Sequence, residues 1–330
     1  MQLKKTTNDS TDQNELDILP TVISDKFICP VCNAKLFLAD THVSCVNDLC
    51  KTLFPVINGI PILINERDSI FNIKDFTIDR KDSGTPRVNG FLKFLKGNFP
   101  TLSNNLSSKK NFEKLEELLS VKTNPKVLIV GGATITTDTE LIFNEKNIIV
   151  ESDIYFGPRT KIIFDAHDIP FEDESFDLII FQAVLEHVAD PYKCVEEAHR
   201  VLKNDGVIFA ATPFMQQVHM RAFDFTRFTH LGHRRLFRKF EEIDSGVSAG
   251  TGVALGWSIK YFLYSLSDQK FIRLFFKIAS SLLLFWLKYI DLIIKNNMGS
   301  YDAASAFYFV GRKSKEVLSD KELVKLYKGF

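Results

Sequence analysis

Four of the five cysteines fall into two close pairs. Cys29 and Cys32 have two residues between them; Cys45 and Cys50, twelve residues further on, have four. Two cysteine knuckles joined by a short hairpin can set four thiolates in a tetrahedron, the geometry of structural zinc. Such a site keeps no open coordination position, so it holds a fold together and does no catalysis. A reduced, metal-free cluster in a small β-domain is the competing reading. A disulfide pair fits a reducing compartment poorly. Cys194, far from the others, reads as a buried apolar filler.

A second set of polar residues recurs after short apolar runs. KVLIV (126–130) ends in Gly131-Gly132, and NIIV (147–150) in Glu151-Ser152-Asp153. KIIF (161–164) ends in Asp165-Ala166-His167-Asp168, FDLIIF (176–181) in Gln182-Ala183 followed by Leu185-Glu186-His187-Val188, and GVIFAA (206–211) in Thr212-Pro213. A glycine after a strand lets the backbone turn sharply and approach a ligand. An acid about 20 residues later, in Glu151-Ser152-Asp153, is placed to accept the two hydroxyls of a ribose. A third set, His219, Asp224, Arg227, His230 and His233, lies among Phe and Met in 213–240. An imidazole titrates near the working pH, so His219 is the candidate general base. Arg234, Arg235, Arg238 and Lys239 read as a solvated helix face.

The elements that must carry these groups follow from the pattern. The five runs read as strands buried on both faces, alternating with helices, which predicts a doubly wound, mostly parallel sheet with its ligand cleft at the carboxyl ends of the strands. Phe112, Leu115, Leu118 and Leu119 share one face of a helix ahead of the first strand. Asp190-Pro191 is a helix start, a capping acid followed by proline at the first helical position, and that helix runs to about Leu202. Glu196 and Arg200 are placed to pair on it. FEEIDSGVS (240–248) and AFYFVGRKS (306–314) read as the sixth and seventh strands, separated by an apolar insertion. Within it the uncharged run Ile278–Leu287 is ten residues, against the roughly 20 a membrane span needs. On a helical wheel Lys270, Arg273, Lys277, Lys288, Asp291 and Lys295 fall in one sector. The helix over 268–295 therefore either folds back as a lid or homodimer surface, its apolar side covered by Tyr261 and Phe262, or rests on a membrane surface.

The segments DAHDIPFEDESFDLIIFQAVLEHVADP and EEAHRVLKNDGVIFAATP resemble the class I S-adenosylmethionine-dependent methyltransferases of the type 11 group. The resemblance spans about residues 109–245, with a further match at AFYFVGRKS. It implies that Gly131 and Gly132 flank the methionine part of S-adenosylmethionine and that Asp153 takes the ribose. Asp165 with Ala166 meets the adenine edge, and Gln182 lies beside the sulfonium. The H…DF.R.T…RRL pattern is similar to that of methyltransferases of surface-polysaccharide and small-metabolite pathways, which implies substrate contacts from Asp224, Arg227, His230 and His233. One departure stands out: where the group carries an acid and alternating glycines, this chain has Ile129, Gly131, Ala133 and Ile135. FPVINGIPILI resembles the Trm112-like zinc ribbons, some of which serve methyltransferases as partners, and implies zinc on Cys29, Cys32, Cys45 and Cys50.

The expected organisation is a tail (1–24), a zinc-ribbon-like domain (25–65), a linker (66–108), a methyltransferase domain (109–315) with a helical insertion at 249–303 before the last strand, and a C-terminal tail (316–330). The expected function is methyl transfer from S-adenosylmethionine to a small-molecule, glycan or lipid-linked acceptor, at a hydroxyl. Two alternatives stay open: a non-catalytic binding protein on the same fold, and a nicotinamide enzyme, against which stands the absence of G-x-G-x-x-G. With 41 basic and 41 acidic side chains, no global field recruits nucleic acid or membrane. The first residues lack the apolar core of a secretion signal, so the expected location is the cytoplasm, either free or at the inner face of the membrane.

Overall fold

The computed structural model describes residues 21–78, 100–132 and 138–330. The expected N-terminal tail lies largely outside the described residues; the linker segment FLKFLKGNF (91–99), Ala133 and Ile135 lie wholly outside them.

After a short helix, α1 (Thr21–Ser24), the chain builds a small antiparallel unit from β1 (Leu36–Leu38), β2 (His42–Cys45), β3 (Leu53–Ile57) and β4 (Ile60–Leu63). Asn58 and Gly59, both at positive φ, make the two-residue hairpin turn between β3 and β4 that an Asn-Gly pair favours. Two helices follow, α2 (Ile73–Ile78) and α3 (Ser108–Ser120). Phe112, Leu115 and Leu119 of α3 are buried on one stripe against the main sheet.

That sheet contains β5 (Lys126–Val130), β6 (Ile148–Ser152), β8 (Phe176–Gln182) and β9 (Leu202–Pro213) in parallel, with β10 (Phe240–Ala249) and β11 (Ala306–Lys313) closing one edge; β7 (Ile163–Phe164) lies beyond the other. The order is β10-β11-β9-β8-β5-β6, and β11 runs antiparallel to both of its neighbours. Val127 to Val130 are all buried, as a strand covered by helices on both faces requires. The KIIF run keeps only two strand residues. Its partner is β4 of the N-terminal unit, in parallel register Ile62↔Ile163 and Leu63↔Phe164, while a single bridge, Ser152↔Ile162, ties it to β6. The small unit and the large sheet are therefore one continuous surface, and Phe27 and Phe54 share a core with Phe164, Phe171 and Phe176.

Helix α4 (Pro191–Val201) starts as its sequence dictates: Asp190 Oδ1 accepts from the backbone N–H of Tyr192 (3.0 Å) and Lys193 (3.1 Å), with Pro191 in the first turn. Cys194 is fully buried on it. The expected Glu196–Arg200 pair does not form. Arg200 turns to Glu197, Asp173 and the carbonyls of Ile169 and Phe171, which need donors at that seam, and Glu196 meets Lys239. Arg234, on α5 (His230–Leu236), also departs from the solvated face expected of it. It is buried, donates to the carbonyls of Phe237 and Phe240, and pairs with Glu242.

Between β10 and β11 the chain inserts α6 (Thr251–Ser265), α7 (Lys270–Leu284), α8 (Leu287–Ile294) and α9 (Met298–Ala303). The stretch expected as one helix is broken at Phe285–Trp286. Asp291 leaves the basic sector entirely. It is 0% exposed, and its two oxygens accept from the N–H groups of Gly252 (2.7 Å) and Val253 (3.0 Å), capping α6. The insertion's own chain does not cover its apolar side: Phe271 is 87% exposed, Ile293 82% and Phe262 64%. No helix of the described residues is long and apolar enough to cross a membrane.

Candidate functional site

The four cysteines converge. Cys29 Sγ and Cys50 Sγ are 3.9 Å apart, Cys32 Sγ and Cys45 Sγ 3.5 Å, and all four sulfurs lie within 4.8 Å of one another. A zinc ion with Zn–S of about 2.3 Å requires sulfur–sulfur edges of about 3.8 Å, so the donor set fits. Each knuckle closes on a residue at positive φ, Asn33 after Cys32 and Lys51 after Cys50. That shared turn explains how the looser second spacing still delivers its thiol. Thr52, through its hydroxyl and its N–H, holds the Cys50 thiol down to about 6, whereas burial pushes Cys29 and Cys45 up.

At the carboxyl end of β5, Gly131 sits at φ +75°, and a Cβ there would lie 2.5 Å from Val184 Cγ2. Only glycine makes this turn. Asp153, the acid expected at the end of β6, accepts from the Tyr155 N–H at 3.1 Å. The acid that faces the glycine turn is Glu151: its Cβ would be 3.3 Å from one added at Gly132, and it lies in register with Ile129. Burial raises the Glu151 carboxyl, opposed by Arg159, whose Nε lies 2.9 and 2.8 Å from the two oxygens. Strand alternation carried the signal, because residues two apart share a face.

Asp165 is tied down. It accepts from Ser69 Oγ (2.5 Å), from His167 N (3.1 Å) and from His167 Nδ1 (2.5 Å), while His167 Nε2 accepts from the Asp190 N–H at 2.9 Å. Burial would raise Asp165, but these bonds outweigh it and lower its pKa. Ala166 is buried in the core beside it.

A cavity of about 300 Å³ opens at the ends of β8, β9 and β10. Gln182, Ala183, Glu186, Thr212, His219 and Trp257 are among its walls. Glu186 is almost fully buried, and neither of its carboxylate oxygens has a hydrogen-bond partner among the described residues. Burial pushes it up to about 8. Its Oε1 lies 3.7 Å from His187 Nε2 and 3.8 Å from His219 Nε2. Burial lowers the His187 pKa, and its Nδ1–H donates to the Phe223 carbonyl at 2.7 Å. Asp224 and Arg227 brace the loop. Asp224 accepts from the His219 N–H (2.8 Å) and from Arg227 Nη2 (2.8 Å), and Arg227 also donates to the carbonyls of Gln216 and Gln217. Burial acts to raise Asp224, but Arg227 and the His219 N–H hold it at about 2. Both residues line a neighbouring cavity of about 500 Å³ with Tyr261.

His230 and His233 are not brought to either cavity. They are buried on α5 among Tyr301, Phe307, Phe228 and Phe237, and burial drives them down to about 4 and about 3.

Residues 146–210 match the family model for a type 11 methyltransferase domain. An uncharacterized protein of Methanocaldococcus jannaschii is 49% identical over 47 residues, 14% of this chain and 23% of that one. The ubiquinone/menaquinone biosynthesis C-methyltransferase of Citrifermentans bemidjiense is 39% identical over 59 residues, 18% of this chain and 25% of that one. The matched segments span a quarter or less of these curated relatives. Among solved structures, Haemonchus contortus phosphoethanolamine N-methyltransferase 2 with S-adenosyl-L-methionine aligns at TM-score 0.40 and 15% identity, covering 62% of this chain and 52% of that one. The strand order and the matched segment define a class I methyltransferase fold. Residues 146–210 are thus similar to the methyltransferase domains of this family, and a small cysteine-bearing β unit precedes them.

Proposed function

We propose that this chain is an S-adenosylmethionine-dependent methyltransferase acting on a hydroxyl of a lipid-linked or small-molecule acceptor at a membrane surface, with structural zinc in its N-terminal unit. The observation that carries the reading is the glycine turn at the carboxyl end of β5: Gly131 at φ +75° with no room for a side chain, followed by Gly132, where an added Cβ would lie 3.3 Å from Glu151 Cβ. When bound, the cofactor supplies a methyl group already activated on a sulfonium. Gly131 and Gly132 would flank its methionine part, Gln182 the sulfonium, and Glu151 or Asp153 the ribose. Asp165, whose Oδ2 accepts from Ser69 and keeps a second lone pair, would meet the adenine edge. The Nε2 of His219 points to the Glu186 side of the cavity, where it can accept the acceptor hydroxyl's proton. Asp224 and Arg227 keep that imidazole in place.

The membrane part rests on the insertion. Lys270, Arg273 and Lys277 are exposed on α7, beside the uncovered Phe271 and Phe275. A basic edge next to an apolar face is what an anionic bilayer surface binds.

Calorimetry with S-adenosylmethionine tests the reading. Binding to wild type, lost in Gly131→Ala and weakened about ten- to a hundredfold by alanine at whichever of Glu151 or Asp153 holds the ribose, supports it. The absence of heat with wild type would favour a non-catalytic scaffold, the reading that Arg159's occupation of Glu151 favours.

A further inference from the structure

Glu186, His187 and His219 come from two separate stretches of chain, yet their ligating atoms meet within 4.8 Å of one another. Two imidazoles and one carboxylate, with further positions open to a cavity, form a donor set for borderline divalent transition metals. We propose that Glu186, His187 and His219 bind a divalent transition-metal ion, such as zinc or iron(II), in the wall of the acceptor cavity.

Three observations carry this. The first is the state of Glu186. It is buried at the cavity, and both its oxygens lack a hydrogen-bond partner among the described residues. A buried carboxyl without partners is costly unless something satisfies it. The second is the orientation of the two rings. His187 Nδ1 faces the Phe223 carbonyl at 2.7 Å, and a carbonyl only accepts, so the proton sits on Nδ1 and Nε2 presents its lone pair. His219 Nδ1 lies 3.4 Å from both the Gln217 carbonyl and Asp224 Oδ2, again acceptors, so its Nε2 is also the donor atom toward Glu186. Metal-binding histidines are held in this way, the second nitrogen donating to a carbonyl or carboxylate. The third is spacing. Ligands about 2.1 Å from a tetrahedral metal lie about 3.4 Å apart. The 3.7 and 3.8 Å between Glu186 Oε1 and the two Nε2 atoms close to that with small side-chain shifts.

The site differs from the cysteine cluster in kind. Four thiolates fill a tetrahedron, whereas three ligands leave coordination positions open to the cavity that also holds Gln182 and Thr212. An acceptor oxygen is the group such a position would take, and that use rests on the methyl-transfer reading. The cation would lower the hydroxyl's pKa and its proton would leave to water. The oxygen lone pair would form the new O–CH3 bond as the S–CH3 bond breaks, its electron pair staying on sulfur as the thioether. His219 would then serve as a ligand in place of acting as the base.

The test uses the full chain, with its cysteine site already loaded with zinc, titrated with cobalt(II) alone and followed by visible absorption. The expected result is one added cobalt per chain with weak ligand-field bands and without the intense sulfur-to-cobalt absorption. Glu186→Gln and His219→Ala should each weaken binding at least about a hundredfold. Asp224→Asn, acting through His219, should cost about ten- to a hundredfold. Circular dichroism confirms that each variant is folded. No added cobalt, or binding that survives both Glu186→Gln and His219→Ala, overturns the proposal. Cobalt binding in a chain that shows no heat with S-adenosylmethionine would leave the metal site standing and refute the methyl-transfer reading.

Discussion

Replacing Asp291 by alanine should open the insertion. Its carboxylate is fully buried and accepts two backbone N–H bonds, from Gly252 at 2.7 Å and Val253 at 3.0 Å. Hydrogen bonds to a charged group are worth roughly 1.5–3 kcal/mol each, so Asp291→Ala should cost about 3–6 kcal/mol, and Asp291→Asn, which keeps one acceptor, about half of that. Helix α8 cannot slide in to compensate, because a Cβ at Gly252 would already sit 2.2 Å from the Leu287 carbonyl oxygen. The chain has two tryptophans, Trp257 on α6 and Trp286 at the α7–α8 break, and both report on the insertion. Urea unfolding followed by tryptophan emission should shift its midpoint down by about 1–3 M, given a slope of about 2–3 kcal/mol/M for a chain of this size. Far-UV circular dichroism of the remaining sheet should move less. A midpoint within about 0.3 M of wild type would refute the assignment of Asp291 as the cap that fastens α8 to α6.

Freshly purified protein should contain about one tightly held zinc, and Cys29→Ser should lose it and loosen the N-terminal unit; full retention in a variant lacking Cys29, Cys32, Cys45 and Cys50 would exclude the cluster as the site. Wild-type protein should co-sediment with anionic liposomes at low salt, and Phe271→Asp with Phe275→Asp should return it to the supernatant. A wild-type protein that stays in solution as a dimer would instead assign the face to a second copy. His230 and His233 are held neutral by burial, with folded pKa values of about 4 and about 3. The unfolded chain protonates them near pH 6.5, so their contribution is full above that pH and is lost as pH falls from about 6.5 toward 3, at up to about 1.4 kcal/mol per pH unit for each. Thermal melts between pH 7 and 5 should show a shallower pH dependence in His233→Phe than in wild type; equal slopes would refute it.

Every apolar run named from the sequence contains a strand, because continuous Val, Ile, Leu and Phe over a few residues have few other stable placements, although the KIIF strand, β7, pairs with β4 of the N-terminal unit. Asp190-Pro191 likewise announced α4, since a cap is a local device. What failed was non-local. Arg234 and Asp291 look like surface charges until the carbonyls and N–H groups they serve are known. The break at Phe285–Trp286 has no glycine or proline to mark it. At the cleft two acids, Glu151 and Asp153, follow one another two residues apart at the end of β6, and only the fold shows that Glu151 is the one beside Gly132. Glu186 and His187 could be named only as part of a strand-end motif, because their convergence with His219 depends on a loop folding back over some thirty residues of chain.

The pairing of β4 with β7 also bears on how the protein survives outside its native state. β7 has two residues, and beyond it the large sheet would end in unpaired N–H and C=O groups flanked by Ile163 and Phe164. An open apolar edge invites another chain to add to it. The N-terminal unit thus acts as a guard rail: it occupies the side of β7 that faces away from β6, and Ser69 fastens it further through Asp165. A chain begun after residue 100 would keep the methyltransferase elements and expose that seam, and its failure would be self-association in the test tube before any loss of chemistry.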